Sequence, residues 1–221
     1  SELNGEFSMV IFDKRENEFV LYANKKSSKP IFYCKSGDIL IFSSNVKNIV
    51  EMKNNSGTPS KLDEIGAYYM LVFGMMLEDT TLVDGIRKVT AGTYVSYKDN
   101  KLEVIRYHKF DNIPDYSKTK KETIDGIDNY FTAALKAEYD KDAEYGYSHI
   151  ATLSGGMDSR ANVMISRELG YKNRLDITCS YPQYLDEIIS RKIAKINGDE
   201  YFFYPLVDGS YLKHPEEAVS M

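Results

Sequence analysis

The stretch Ser154–Ser159, with the sequence SGGMDS, joins an apolar strand to a helix and constrains the fold more than any other feature of this chain. Ile150–Leu153 before it is an apolar run typical of a buried strand, and Asp158–Gly170 after it is predicted to form a helix. Gly155 and Gly156 lack a Cβ atom, so their backbone N–H groups can come close to an anion. The start of the helix adds a partial positive charge, and the two serines of the stretch, Ser154 and Ser159, add hydroxyl donors. The sequence therefore predicts a turn that binds pyrophosphate.

Asp158 is the one acidic residue of this stretch. A carboxylate would repel a phosphate directly, so we expect Asp158 to bind a magnesium ion that bridges to the phosphates. The alternative is an ordinary glycine-rich connection in which Asp158 or Ser159 caps the helix. The chain contains no Gly-Lys-Ser/Thr sequence of the Walker type, which excludes the usual P-loop. The six residues by themselves leave both interpretations open.

The segments around this turn alternate between strand and helix patterns. Arg174–Cys179 and Glu200–Leu206 are predicted strands, and the predicted helix Leu185–Asn197 between them carries four isoleucines on its inward face: Ile188, Ile189, Ile193 and Ile196. Upstream, Thr119 and Glu122 form a capping-box pair before a helix with one apolar face, which comprises Ile124, Ile127, Phe131, Ala134 and Leu135. This alternation predicts a parallel sheet, in which ligands bind at the carboxyl ends of the strands.

The first half of the chain contains short alternating or apolar runs separated by charged or Ser/Gly-rich turns: Phe7–Phe12, Glu18–Tyr22, Ile31–Tyr33 and Ile39–Phe42. This pattern is typical of an antiparallel sheet. Ile65–Leu77 is the most apolar run, but it is too short to span a bilayer of about 30 Å, and we expect a buried helix. The polar stretch Phe110–Lys121 is predicted to link two domains.

Leu153–Ser159 resembles the SGGxDS loop of the ATP pyrophosphatase domain in the asparagine synthetase family. The first half of the chain is similar to the later strands of that family's glutamine amidotransferase domain in four segments, which occur in the family's order: Leu3–Phe7, Val10–Asp13, Lys29–Tyr33 and Ile41–Ser44. Thr81–Ile86 is similar to the segment that leads from one domain into the other. The resemblance implies that residues 1–110 are a partial amidotransferase-like domain with its connecting segment, an incomplete α+β fold with the antiparallel sheet of the Ntn type. It further implies that residues 118–221 are the amino-terminal part of a truncated α/β, Rossmann-like ATP-binding domain.

The resemblance also assigns roles at a glutamine site. The Asn4 side-chain amide and the Gly5 N–H correspond to oxyanion-hole donors, and Glu6 corresponds to the group that pairs with the α-amine of glutamine. From the residues alone, Asn4-Gly5 also suits a hairpin turn, for which Asn-Gly is the commonest dipeptide. Where the family has an acidic residue that helps to hold the amino group, this chain has Asn24. The loss of that charge leaves either glutamine or free ammonia as the nitrogen donor.

The family's catalytic cysteine is its N-terminal residue, well before the Asn-Gly-Glu segment. We therefore expect this chain to be a fragment that lacks the nucleophile and also the far wall of the synthetase site. Cys34 and Cys179 cannot replace the nucleophile, because its mechanism needs a free α-amine beside the thiol, and we expect both to be buried apolar side chains. Such a fragment would bind ATP or pyrophosphate weakly and turn over nothing.

The mechanism implied by the resemblance uses ATP and Mg²⁺. A carboxylate, aspartate in the family, attacks the α-phosphate to give an acyl-adenylate and pyrophosphate, and ammonia or an amine then attacks the adenylate. Leu153, Thr178 and Cys179 would border the nucleotide. Two alternatives stay open, namely an asparagine synthetase-like enzyme of another biosynthetic pathway, such as an amide-forming cyclase, and a non-catalytic scaffold that keeps the fold. The pair Asp186-Glu187 either matches an acidic pair of the family or only favours the start of a helix.

The formal net charge of −5 and the pI near 5.4 argue against nucleic acid as a partner. No segment resembles a signal peptide, and we expect no membrane span. Two cysteines far apart in the sequence suit a reducing compartment, so we expect a cytoplasmic protein. The sequence leaves open whether the protein forms a homodimer.

Overall fold

A computed structural model describes residues 3, 5–172, 174–209 and 213. The chain divides into two compact units, Ser1–Ile113 and Pro114–Met221, which we call unit 1 and unit 2.

Unit 1 contains two antiparallel sheets. Strands β1 (Ser8–Asp13), β2 (Glu18–Ala23), β6 (Thr93–Lys98) and β7 (Lys101–Arg106) form one sheet in the order β1-β2-β6-β7. Strands β3 (Phe32–Ser36), β4 (Ile39–Ser43) and β5 (Arg87–Lys88) form the other in the order β4-β3-β5. Helices α1 (Val46–Asn55) and α2 (Glu64–Phe73) lie between β4 and β5 in the sequence. The prediction of an α+β fold with antiparallel sheets is confirmed.

The core of unit 1 consists of two apolar clusters, the first with side chains from both sheets and the second around β3, β4 and α1. Leu21, Ala23, Ile31, Tyr33, Val89 and Val95 form the first, and Cys34, Ile41, Ile49 and Ile86 form the second. The β6–β7 hairpin closes through Asp99 and Asn100, whose φ angles of 49° and 61° are those of a two-residue turn that matches the twist of the strands. Strand β2, which ends directly before Asn24, lies between β1 and β6 and is therefore a central strand of its sheet.

The expectation that Ile65–Leu77 is a buried helix is wrong in one respect. Residues Glu64–Phe73 do form a helix, which ends at Gly74 in the left-handed conformation with φ of 69°. Its large apolar side chains are nevertheless exposed, and Leu71 reaches 82% exposure. Only Gly66 is buried along the helix, where an added Cβ would lie 2.3 Å from the Thr81 carbonyl oxygen. No helix in the described ranges combines the length and the apolar character that a membrane crossing requires.

Unit 2 begins with the long helix α3 (Lys120–Glu144), which starts at the predicted capping box of Thr119 and Glu122. Then follow β8 (His149–Thr152), α4 (Met157–Glu168), β9 (Arg174–Ser180), α5 (Leu185–Asn197) and β10 (Glu200–Pro205). The three strands pair in parallel in the order β10-β9-β8. Helix α5 packs on β9 and β10, and α4 packs on β8 and α3. The carboxyl ends of the strands therefore meet at one edge of the sheet.

The buried faces of the helices differ from the predicted apolar stripes. In α5, Ser190, Ala194 and Asn197 are buried, whereas Ile188 and Ile196 are more than half exposed. In α3, Leu135 is buried while Ile124 and Ile127 are exposed. The predicted apolar stripes are wider than the faces that become buried, and in α5 the small residues Ser190 and Ala194 take the buried face.

A buried ion network holds α4, β9 and the start of β10 together. The Arg174 guanidinium is fully buried; its Nε donates to Asp176 Oδ1 at 2.7 Å and its Nη2 donates to Asp199 Oδ2 at 2.5 Å. Its Nη1 donates to the Ser166 hydroxyl at 2.5 Å. Asp176 Oδ2 is buried without a hydrogen-bond partner. Burial raises the pKa of the Asp176 carboxyl above its ordinary value even beside Arg174.

Candidate functional site

The SGGMDS turn starts from a fixed point at the carboxyl end of β8. The Leu153 N–H donates to the Ile177 carbonyl at 2.9 Å, and the Thr178 hydroxyl donates to the Leu153 carbonyl at 2.6 Å. Both Leu153 and Thr178 are buried. Their side chains therefore belong to the packing under the turn and set the direction in which the chain leaves the sheet.

Two serine hydroxyls brace the turn itself. Ser159 Oγ accepts from the Ser154 N–H at 3.0 Å, and Ser154 Oγ accepts from the Gly156 N–H at 3.2 Å. The two hydroxyl oxygens lie 3.0 Å apart and hydrogen-bond each other. The serines expected to donate to a ligand thus also hold the backbone of the turn.

Helix α4 begins without a side-chain cap. Its N-cap residue is Gly156, with φ of −71° and ψ of 157°, and no side chain accepts a hydrogen bond from the first turn. The alternative in which Asp158 or Ser159 caps the helix is therefore not what the structure has. The N–H groups at the start of an uncapped helix suit an anion.

Asp186 is the acidic side chain that meets the turn from another element. It lies in the first turn of α5, and its Oδ1 accepts from the Gly155 N–H at 2.7 Å. A Cβ atom added to Gly155 would lie 2.9 Å from the same Oδ1, so a side chain at residue 155 would make the carboxylate shift from its present position. The sequence identified Asp186 only as one half of an acidic pair, and the contact with Gly155 distinguishes it from its neighbour.

Glu187, the other half of the pair, faces away from the turn. Its carboxylate accepts from the Gln183 N–H at 2.6 Å and from Arg191 Nη2 at 2.7 Å. These two contacts hold the pKa of Glu187 below its ordinary value, the backbone hydrogen bond being the larger cause. Glu187 thus serves the start of α5, and Asp186 serves the SGGMDS turn.

Asp158 is exposed in the first turn of α4 and lines a groove between α3 and α4. The groove has a volume of about 550 Å³ and is lined mainly by apolar side chains, with Asp128 as its second acid. The Asp158 carboxylate is therefore free to bind a solvated cation.

A second cavity, of about 480 Å³, lies at the carboxyl ends of β9 and β10. It is lined by Cys179, Ser180, Tyr181, Tyr184, Asp186 and Leu206. Cys179 is exposed, so the expectation that it is buried is wrong, while Cys34 is buried as expected. Side chains alternate along a strand, and Thr178 and Ser180 take the buried face of β9. Asp186 belongs both to this cavity and to the SGGMDS turn.

In the described part of the chain, no three His, Cys, Asp or Glu side chains gather into a metal site. A magnesium ion bound together with a nucleotide needs only one or two protein carboxylates, since phosphates and waters supply the other ligands. Asp158 on the first turn of α4 and Asp186 on the first turn of α5 each offer one such carboxylate, Asp158 to the groove beside α3 and Asp186 at Gly155. The residues present therefore fit a magnesium ion that arrives with phosphate groups.

The residues assigned to a glutamine site lie in unit 1, and Asn4 falls outside the described residues. Gly5 has φ of 126°, a conformation that favours glycine. Glu6 is exposed, and one of its carboxylate oxygens lies 3.9 Å from Lys29 Nζ.

Asn24 is buried, and its side chain is engaged by the protein. Its Nδ2 donates to the Gly5 carbonyl at 2.9 Å and to the Ser28 hydroxyl at 2.8 Å, and its Oδ1 accepts from the Ser28 N–H at 3.1 Å. Asn24 thus ties the segment that carries Gly5 to the loop after β2.

Comparison with known proteins supports the interpretation of this unit. Residues 1–108 match the family model of a glutamine amidotransferase domain. Unit 1 is similar to a glutamine amidotransferase domain. The match covers nearly all of the amidotransferase-like unit 1, including Gly5, Glu6 and Asn24.

Two curated relatives extend the similarity. The chain is 28% identical over 170 residues to a protein of Methanocaldococcus jannaschii named as a candidate asparagine synthetase (glutamine-hydrolyzing) 2. This alignment covers 76% of the chain and 32% of the relative. It is 22% identical over 165 residues to asparagine synthetase (glutamine-hydrolyzing) 3 of Bacillus subtilis, in an alignment that covers 74% of the chain and 26% of the relative. The chain therefore spans about a third or less of these relatives. Either alignment is longer than unit 1 and, wherever it begins, includes residues 154–159.

Proposed function

We propose that this chain is part of an ATP-dependent amide-forming ligase of the asparagine synthetase type, and that the SGGMDS turn binds the pyrophosphate portion of ATP. The observation that carries the proposal is the uncapped start of α4 directly behind Gly155 and Gly156 at the carboxyl end of β8. Two relatives named as asparagine synthetases align with the chain across this turn, which supports the same interpretation.

In the proposed reaction a carboxylate attacks the α-phosphate of ATP, forming an acyl-adenylate and releasing pyrophosphate. The N–H groups of the first turn of α4, which no side chain caps, would stabilise the negative charge that develops on the leaving pyrophosphate. Asp158 would hold a magnesium ion, which when bound supplies positive charge to the phosphates. Cys179 would border the nucleotide from the cavity at the ends of β9 and β10. Leu153 and Thr178 are buried and would act indirectly, by holding the backbone where the SGGMDS turn begins.

The nitrogen donor in this proposal is glutamine or free ammonia. Gly5, together with Asn4, would stabilise the oxyanion formed during glutamine hydrolysis, and Glu6 would pair with the α-amine. Asn24 carries no charge, and its amide is already committed to Gly5 and Ser28. This favours a second candidate within the same class, an amide-forming enzyme of another biosynthetic pathway that takes its nitrogen without hydrolysing glutamine.

Binding of ATP to this chain in the presence of magnesium, measured by isothermal titration calorimetry, tests the proposed role of the turn. The Asp158→Ala variant should bind Mg-ATP at least about tenfold more weakly, because a lost charge-assisted metal contact is worth upwards of about 1.4 kcal/mol. Its circular dichroism should be unchanged, since Asp158 is exposed.

Asp128→Ala is the matched control, because Asp128 lines the same groove from α3. Equal affinities of the Asp158→Ala variant and the parent chain would contradict the assignment of Asp158. In the protein at its natural length, pyrophosphate release with aspartate and either ammonia or glutamine would identify the substrates. ATP binding without aspartate-dependent release would instead favour another carboxylate.

A further inference from the structure

We propose that Asp186 makes the SGGMDS turn selective for phosphate groups that arrive with a divalent cation over the same anions free of metal. This inference rests on the proposed function and adds a specificity-determining residue to it.

The contact between Asp186 and Gly155 places a carboxylate where a phosphate would bind. The Gly155 N–H, one of the donors expected to meet an anion, donates to Asp186 Oδ1 at 2.7 Å, the length of a charge-assisted hydrogen bond. The N–H groups of Ser154 and Gly156 donate to serine hydroxyls, which are neutral. Asp186 is therefore the charged acceptor in the turn, and it comes from a different helix, 31 positions further along the chain.

A metal-free phosphate and the Asp186 carboxylate exclude each other at this position. Both are anionic acceptors for the Gly155 N–H, and placing like charges side by side is unfavourable. The absence of a Cβ atom on Gly155 allows the carboxylate to come this close. Phosphate or pyrophosphate without a metal ion would therefore have to displace the Asp186 carboxylate with no positive charge to offset the repulsion.

A divalent cation reverses the effect of the same carboxylate. With magnesium on the phosphates, Asp186 faces a positive charge and can leave Gly155 for the ion or for a water in its coordination shell. Asp186 also lines the cavity at the ends of β9 and β10, so its side chain has space into which it can turn. The turn then accepts the anion and its cation together.

Glu187 provides a control for the total charge. It is the next residue of the same helix turn and carries the same charge, but its carboxylate is held by Gln183 and Arg191. Glu187→Gln lowers the net negative charge by the same amount as Asp186→Asn without changing the Gly155 contact. The amide oxygen introduced by Asp186→Asn can still accept from the Gly155 N–H, so the fold should be kept.

The experiment is titration of the chain with inorganic pyrophosphate, once with Mg²⁺ and once with EDTA, for the parent, Asp186→Asn and Glu187→Gln. We expect the parent to bind pyrophosphate much more tightly with Mg²⁺. The Asp186→Asn variant should bind metal-free pyrophosphate about tenfold or more tightly than the parent does, because the repulsion is gone. The Glu187→Gln variant should behave as the parent.

Two outcomes would overturn the inference while leaving the proposed function intact. One is an unchanged affinity of Asp186→Asn for metal-free pyrophosphate. The other is a gain of equal size in Glu187→Gln, which would indicate a general charge effect. If the parent and both variants bind pyrophosphate in neither condition, the proposed function itself fails and the inference fails with it.

Discussion

Asn24 uses its side-chain amide to join two loops of the amidotransferase-like unit. Its two N–H donors reach the Gly5 carbonyl and the Ser28 hydroxyl, so a carboxylate at this position could not make the same contacts. The resemblance to the amidotransferase domain predicts an acidic residue at this position, where the sequence has an uncharged amide. The structure adds that the amide replacing it has a positioning role for the segment with Gly5.

We predict that Asn24→Asp destabilises unit 1 by about 1–3 kcal/mol, because a buried carboxylate would face the Gly5 carbonyl without a donor between them. Thermal or urea unfolding measures the change. Ser28→Ala is the control and should cost less, since it removes one partner and keeps the contact with Gly5. An Asn24→Asp variant as stable as the parent would show that the amide does not hold Gly5.

At the scale of whole elements, local sequence predicted where helices occur better than it predicted what they bury. Helix α2 forms where its capping residues allow, with Asp63 accepting from the Gly66 N–H at 2.9 Å and Gly74 ending it. Its apolar side chains remain exposed because no element in the described part of unit 1 covers them. Burial depends on a partner surface, which periodicity within one helix does not specify.

The Arg174 network joins the elements around β9, so we predict that Arg174→Met lowers the free energy of unfolding of unit 2 by about 3–5 kcal/mol at neutral pH. The variant leaves Asp176 buried without its main cation. Because burial raises the folded-state pKa of Asp176, its contribution to stability is present below the ordinary carboxyl pKa and is lost as the pH rises through the raised value. Arg174 lowers this pKa, so its loss raises the Asp176 pKa further, and the deficit of the variant relative to the parent should shrink as the pH is lowered toward about 4.

Urea unfolding at a series of pH values tests this prediction. Arg191→Met is the control, because Arg191 is an exposed partner of Glu187 and its loss should cost at most about 1 kcal/mol. A deficit for Arg174→Met that is equally large at every pH would mean that Asp176 does not titrate as expected.

At the scale of the whole molecule, we predict that nucleotide binding changes hydrogen exchange in unit 2 and leaves the sheet of unit 1 unchanged. Mg-ATP should slow backbone hydrogen exchange in residues 153–159 and at the start of α5, since ligand binding stabilises the regions that it contacts. Exchange in the β1-β2-β6-β7 sheet of unit 1 should stay the same. Hydrogen exchange followed by mass spectrometry measures both regions in one experiment, and protection confined to unit 1 would contradict the nucleotide site in unit 2.

The sequence by itself determined the local features of this protein. The antiparallel strands of unit 1, the capping box at Thr119 and the strand-to-helix turn at Ser154–Ser159 follow from periodicity, glycine and capping residues, which act over a few positions. Only the tertiary structure decided that Asp186 rather than Glu187 meets Gly155 and that Cys179 is exposed. These features depend on contacts between residues that are far apart in the sequence, and such contacts exist only once the elements have packed.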